Sequence, residues 1–406
     1  MSLSDAKKIL EELHKREVFD IVITGGEPSL NFSVLLNLVK QARDFNMGVS
    51  VNSNLTLINN EMAKSLYKAG VKNILTSVLG PNKFVHDNIA QKKGVFRKVM
   101  NGISIVNDNG INVSVNMVVS KLNLNLVRGT AKLVAEKGIK SFFATKAGCP
   151  GGCSNFSELD VGRGGLIKIL EDLLWVRKNF GLDIGSLESL PLCGIAEIED
   201  ISPFLKRKCG AGICTMTIAP NGDVRPCPHE DTVYGNILKE SFEKIWKEMN
   251  CWREGEQHSE ICKKCGFFTQ CGGGCRMSAK TSFGRLQEMD PCANINSVNL
   301  LSNCLKKTNE QKEIRVFFKE NSNIFFKLNK NRFRKESFGG VIHAQNGERI
   351  FLSEAGIKVF LQIISFQCFG LQERKIDWGR VDKKNFINRL IESGVLSVSE
   401  QGGCAM

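Results

Sequence analysis

Between Cys209 and Cys292 the chain places nine cysteines, eight of them, all but Cys251, at spacings that few folds use. Cys209 and Cys214 flank Gly-Ala-Gly-Ile, and Cys227 closes the run Ile218-Ala-Pro-Asn-Gly-Asp-Val-Arg-Pro. Cys262-Lys-Lys-Cys265 follows, then Cys271, Cys275 and Cys292, with Gly272-Gly273-Gly274 between two of them. Gaps this tight let one loop present several sulfurs to one centre, and glycine lets the backbone fold close around it. Disulfides fit poorly, because no secretory signal is visible and a chain of 406 residues builds a core without staples. Zinc suits Cys262-x-x-Cys265, and eight thiols make two four-thiolate sites of either kind. Spacing alone leaves iron–sulfur and zinc both open.

The whole pattern resembles the SPASM domain, the cysteine-rich extension of radical S-adenosylmethionine (SAM) enzymes that modify peptides and proteins. That pattern is matched by Cys209, Gly222, Cys227, Cys262, Cys265, Cys271, Cys275 and Cys292. The resemblance implies one auxiliary 4Fe–4S cluster on Cys209, Cys214, Cys227 and Cys275. It implies a second on Cys262, Cys265, Cys271 and Cys292. Gly235-Asn236-Ile237 and Ile245-Trp246 also follow the pattern, with Trp246 expected beneath the cluster loops. Cys193, Cys251, Cys304 and Cys368 lack partner spacing and read as small buried residues.

Upstream, short apolar runs alternate with amphipathic stretches. A helix capped by Ser4 carries Ala6, Ile9, Leu10 and Leu13 on one face, and strand Ile21–Ile23 runs into Thr24-Gly25-Gly26-Glu27-Pro28. The next helix buries Phe32, Leu35, Leu36 and Val39 and is expected to stop at Gly48. Further strands are expected at Val49–Asn52, Asn73–Val78, Asn112–Val119 and Lys140–Ala144. Helices lie between them, and Leu182–Leu187 forms another strand after a helix from Gly165 to Phe180. This alternation means an α/β fold with a parallel sheet or part of a barrel, its chemistry at the strands' carboxyl ends.

Gly25-Gly26-Glu27-Pro28 occupies such an end and resembles the radical SAM motif that receives the methionyl amino group of SAM. Ser53-Asn54 stands where the family has Thr-Asn-Gly, with Leu55 replacing the glycine. Ser77 stands where it has Ser-Leu-Asp, with Val78 and Leu79 replacing Leu-Asp. Asn116 lies on the next strand. The resemblance makes Gly25, Gly26, Glu27, Ser53, Asn54, Ser77 and Asn116 the SAM-binding residues. His86-Asp87 matches a common pair, with His86 read as a structural loop residue. The family's Cys-x3-Cys-x2-Cys is absent, since no cysteine precedes Cys149. Cys149-Pro-Gly-Gly-Cys153 offers two thiols where three are needed. Losing a whole strand exposes a sheet edge, so a start inside a longer chain is the expected reason. A degenerate member is the alternative.

Residues 305–330 are polar and read as a connector. Beyond them, two strands (Phe338–Ala344 and Arg349–Leu352) join around Asn346-Gly347. Ser353 caps a helix with Ile357, Phe360 and Leu361, and Asp382 caps one with Phe386, Leu390 and Ile391, ended by Gly394. This winged-helix-like unit resembles the PqqD-like leader-recognition domain over Arg334–Val341, Leu352–Glu354 and Leu390–Leu396. The division is thus a partial radical SAM (βα) barrel over 1–190, a SPASM domain over 191–304, the connector, and a peptide-binding domain over 331–406.

The implied function is maturation of a ribosomally made peptide by a 5′-deoxyadenosyl radical, giving a crosslink or an oxidised side chain. The implied cofactors are SAM and 4Fe–4S clusters. The implied partners are a precursor peptide with its leader and an electron donor such as ferredoxin or flavodoxin. A non-catalytic iron–sulfur partner of a complete enzyme is the alternative, and a zinc-bound structural protein a third reading. The net charge of +13 raises nucleic acid. The lysines, however, are spread among Asp and Glu, so a solvated surface is the simpler account. No apolar run spans a membrane, and the cytoplasm is the expected location.

Overall fold

The computed structural model describes residues 1–148, 155–205, 207–302, 325–328, 332–336, 339–343, 349–366, 368–370, 376–377, 379, 383–393 and 395–399. The chain divides into two compact units, Met1–Lys312 and Glu313–Met406. Each has its own hydrophobic core.

In the first unit six parallel strands stand in sequential order. They are β1 (Asp20–Ile23), β2 (Gly48–Asn52), β3 (Asn73–Ser77), β4 (Asn112–Val119), β5 (Ser141–Lys146) and β6 (Asp183–Gly185). Around them run α1 (Leu3–Lys15), α2 (Phe32–Asp44), α3 (Asn60–Lys68), α4 (Lys83–Ile89), α5 (Val95–Asp108), α6 (Val127–Glu136) and α7 (Gly162–Phe180). Parallel strands in sequential order bring every strand's carboxyl end to one edge of the sheet. Burial follows the pleat. Val49, Val51, Ile74, Val113, Val115, Phe142 and Ala144 are buried, while their alternates Ser50, Ser114 and Phe143 are half-buried. Strand β1 is the sheet's terminal strand, and its Val22 is 56% exposed.

The face of α1 is the expected one, Ala6, Ile9, Leu10 and Leu13, but its cap is not Ser4. The hydroxyl of Ser2 accepts the Asp5 N–H at 3.0 Å, which leaves Ser4 inside the helix. Helix α2 stops before Gly48, because Asn46 turns the chain at φ 59° and Gly48 already opens β2. His86 lies in α4 rather than a loop. It is buried, and its Nδ1 accepts the Leu79 N–H at 3.1 Å. Burial pushes its pKa down, against a smaller pull from Asp87. This is a structural histidine.

The cysteine region adds a small antiparallel sheet of β7 (Thr217–Ile218), β8 (Asp223–Arg225) and β9 (Gly235–Asn236). Gly222, at φ 90°, turns β7 into β8.

In the second unit β10 (Phe325–Leu328) pairs antiparallel with β14 (Cys368–Gly370) and β15 (Leu396–Ser399). Part of the expected connector is therefore a strand. The expected hairpin is present as β12 (Gly339–His343) and β13 (Arg349–Ser353), with β11 (Arg332–Glu336) as a third strand. Ser353 caps helix Glu354–Phe366 by accepting the Gly356 N–H at 3.2 Å. That helix buries Ile357, Phe360 and Ile363 but exposes Leu361. Helix Lys383–Glu392 buries Ile387 and Leu390. Cys149, Cys153, Cys304, Asn346-Gly347, Asp382, Gly394 and residues 402–406 lie outside the described residues. Among the described residues no helix is long and apolar enough to cross a membrane.

Candidate functional site

The carboxyl edge of the sheet gathers the residues expected to hold SAM. Gly25 and Gly26 follow β1 at φ 95° and 42°, and a Cβ on either would meet nothing within 4 Å. Glycine is therefore required by conformation, and space is left before the turn. Glu27 ties two strand ends together. Its Oε1 accepts from the Ser29 N–H at 3.0 Å, the Ser29 hydroxyl at 2.6 Å and the Ser53 hydroxyl at 2.7 Å. Its Oε2 accepts the Asn54 N–H at 2.7 Å. Ser77 and Asn116 face each other across β3 and β4. The Asn116 side-chain oxygen accepts from the Thr145 hydroxyl at 2.8 Å, and that hydroxyl accepts the Leu187 N–H at 3.0 Å. The structure thus joins Glu27, Ser53 and Asn54 by hydrogen bonds and sets Ser77 and Asn116 at the same edge.

Leu55 explains the departure from Thr-Asn-Gly. It holds a left-handed φ of 59°, the conformation glycine adopts cheaply, and buries its side chain in the core. Leu55→Gly is expected to relieve about 1–2 kcal/mol of strain and to lose about 2–5 kcal/mol of packing. The result should be a lower urea midpoint. A raised midpoint would show that the strain outweighs the packing.

Around the cysteines, members of the first expected group act on one another. Cys209 interacts electrostatically with Cys214, and Cys227 with Cys275 and Cys209. Burial pushes up the thiols of Cys209 and Cys275, and that of Cys227 to about 11. In the second region Cys262, Cys265 and Cys271 act on one another. Burial raises Cys271 and lifts Cys262 to about 11. Backbone N–H groups point at the sulfurs, among them His229 to Cys227 at 3.5 Å and Leu192 to Cys271 at 3.2 Å. Cys193, expected to be an unreactive buried thiol, is half-buried and interacts with Cys271 and Cys265.

Gly272, Gly273 and Gly274 hold φ of 67°, 72° and 80°, a run that only glycine sustains. Asp290 fills the space behind it. Its Oδ2 accepts the Cys275 N–H and its Oδ1 the Cys292 N–H, both at 2.8 Å. Gly274→Ala would set a Cβ 2.6 Å from that Oδ2 at a left-handed φ. The variant is expected to lose about 2–4 kcal/mol, read as a fall in urea midpoint, and an unchanged midpoint contradicts the packing.

Arg276 is the buried cation of the region. Its guanidinium donates to the carbonyls of Leu286 at 2.9 Å, Glu288 at 2.8 Å and Gly273, and it acts on Cys209 and Cys262. The tryptophan beneath a cysteine loop is Trp252, not Trp246. Trp252 is buried against Gly212, while Trp246 is half-buried and stacks on Phe242 with Arg253 over its ring.

A third cluster joins sheet to cysteines. Lys146, the last residue of β5, is buried with its Nζ 3.7 Å from Asp160. Burial opposes its charge, but Glu188, Cys292, Asp160 and Asp290 outweigh this and raise its pKa. Burial raises Glu188 to about 7, with Lys146 pulling the other way. The Glu188 Oε1 is buried without a partner. Arg276, Asp290, Lys146 and Glu188 carry no motif, and their only sequence signal is charge beside expected ligands or strand ends.

Among the described residues no three His, Cys, Asp or Glu side chains converge on a single metal ion. A polynuclear cluster, whose thiolates each hold a different iron, does not ask for that convergence. The donors fit such a cluster: gathered thiols, N–H groups aimed at sulfur, and an Arg276 Nε buried without a partner beside them.

Residues 1–134 match the Radical SAM superfamily, and residues 209–266 match SPASM, an iron–sulfur cluster-binding domain. Fold and matches together define a radical SAM domain followed by a SPASM domain. By resemblance the chain is an enzyme, with SAM and iron–sulfur clusters as the cofactors of those domains. It is 25% identical over 310 residues to the AdoMet-dependent heme synthase of Methanosarcina barkeri, covering 72% of this chain and 86% of that one. It is 30% identical over 294 residues to the antilisterial bacteriocin subtilosin biosynthesis protein AlbA of Bacillus subtilis, covering 67% and 60%. Its fold is similar to that of Streptococcus suis SuiB bound to S-adenosylmethionine, with TM-score 0.59, 18% identity and coverage of 73% and 71%.

Proposed function

We propose that the chain serves the maturation of a ribosomally synthesised peptide by radical SAM chemistry. The observation that carries this reading is a shared edge. The strand ends with Glu27, Ser53, Ser77 and Asn116 continue, through Thr145 and Lys146, into the residues that brace the cysteine loops. In this reading Gly25, Gly26, Glu27, Ser53, Asn54, Ser77 and Asn116 hold SAM. Glycine lets the backbone approach, and the Glu27 carboxylate, already oriented by Ser29, Ser53 and Asn54, balances the methionyl ammonium.

Bound to a reduced 4Fe–4S cluster, SAM supplies a 5′-deoxyadenosyl radical that takes a hydrogen atom from the substrate. The first cysteine in the sequence is Cys149, so no thiol for that cluster stands near Gly25–Pro28 along the chain. Cys209, Cys214, Cys227 and Cys275 would hold one auxiliary cluster, and Cys262, Cys265, Cys271 and Cys292 the other. Residues 331–406, within the separate second unit, would bind the leader as an added strand, in the PqqD-like manner. The name of AlbA, a bacteriocin biosynthesis protein, supports a peptide substrate. A ferredoxin- or flavodoxin-like donor would supply electrons.

A second reading has the chain hold the peptide for a complete enzyme. The test is to reduce the protein purified from its own cells and add SAM and precursor peptide. Formation of 5′-deoxyadenosine with a mass change in the peptide supports maturation by this protein. Peptide binding with neither product supports the second reading, and no binding removes both.

A further inference from the structure

We propose that Thr145 is a positioning residue for SAM: its hydroxyl fixes the Asn116 amide so that the NH2 end, and not the oxygen, is offered to the ligand. The inference rests on the reading of Asn116 as a SAM contact. Strand register sets the pair up. Asn116 stands opposite Phe143 across β4 and β5, and Thr145 lies two residues further along β5. Side chains two apart share a face of the sheet, so Thr145 reaches Asn116 on the diagonal. Ser77 stands opposite Asn116 on its other side.

What each group can donate sets the direction of the relay. The Leu187 backbone N–H can only donate, and it meets the Thr145 hydroxyl oxygen at 3.0 Å. The hydroxyl has one proton of its own, which it donates to the Asn116 side-chain oxygen at 2.8 Å. The amide oxygen is thereby engaged, and the nitrogen of the same planar group is turned away from Thr145. The backbone beneath it is pinned as well, since the Asn116 carbonyl accepts the Val78 N–H at 3.2 Å. Asn116 is only 8% exposed, yet among the described residues its side-chain nitrogen has no hydrogen-bond partner. A buried amide N–H is seldom left unpaired. Asn116 thus offers a donor at the strand ends, and the part of SAM that it meets is a hydrogen-bond acceptor. Without the Thr145 hydroxyl the amide is free to rotate and presents oxygen or nitrogen indifferently.

The experiment measures, by titration calorimetry on the full chain, affinity for SAM and for S-adenosylhomocysteine, which lacks the sulfonium charge. Urea midpoints are taken alongside. Thr145→Val should weaken SAM binding about three- to tenfold, the loss of one net hydrogen bond. Thr145→Ser, which keeps the hydroxyl, should restore most of it. Because Thr145 acts through Asn116, Thr145→Val/Asn116→Ala should bind no more weakly than Asn116→Ala alone, whereas a merely structural threonine would add its own loss. Asn116→Asp keeps an oxygen for Thr145 but has no NH2, so it should bind S-adenosylhomocysteine more weakly than the parent does. Unchanged binding by Thr145→Val, an additive double variant, or equal or tighter binding by Asn116→Asp overturns the proposal. Should Thr145→Val fail to fold, the Asn116→Asp result decides. The underlying reading fails separately: a parent that binds neither ligand removes this edge as a SAM site, and full binding by Asn116→Ala removes Asn116 from it.

Discussion

Arg276→Ala is expected to be the most damaging single change in the cysteine region. It strips a charged donor from the carbonyls of Leu286, Glu288 and Gly273 and leaves them buried without it. Hydrogen bonds from a charged group contribute about 1.5–3 kcal/mol each, and they share one side chain here, so a loss of about 3–5 kcal/mol is expected. Arg276→Lys should recover less than half, because a single ammonium cannot reproduce the planar fork. Urea unfolding at matched iron content measures both. A loss below about 1 kcal/mol would mean that the carbonyls find other donors.

The second large effect is a pH dependence centred on Glu188. Its carboxyl titrates near 7 in the folded chain against an ordinary 4.5, chiefly because burial penalises the charge. A raised carboxyl pKa favours folding fully below about 4.5, and that contribution is lost as pH rises through about 7. The shift corresponds to about 3 kcal/mol. Lys146, raised by its acidic neighbours, stays charged across this window. Stability should therefore fall between about pH 4.5 and 7 from this group, and Glu188→Gln should remove that part of the slope. Unfolding curves of parent and variant at pH 5, 6, 7 and 8 decide the matter. Equal slopes would place the carboxyl in contact with water.

Local patterns made much of this molecule legible. Apolar spacing located the six parallel strands and the β12–β13 hairpin to within a residue or two, but not β7–β11, β14 or β15, and the buried face of α1 was read in full. The glycines at 25, 26, 222 and 272–274 were expected, and each takes a positive φ. What escaped depends on partners far apart in sequence. Asp290 acts on Cys275 across 15 positions, and the Thr145 hydroxyl meets Asn116 across 29. Nothing in the spacing of Cys193 announces Cys271, because the turn that delivers it is placed by Gly194 against Cys292. Capping failed for a smaller reason: Ser2 and Ser4 both suit a helix start, and side-chain geometry chose between them. Trp246 and Trp252 differ likewise only in which one the fold turns inward.

The two hydrogen bonds of Asp290 also bear on how the protein is put together. One rigid carboxylate holds the backbone of Cys275 with one oxygen and that of Cys292 with the other. Ordering either loop therefore removes part of the entropy cost of ordering its neighbour. Iron delivery should then be cooperative: intermediates carrying a single cluster would be scarce, and chains would divide into empty and fully loaded populations.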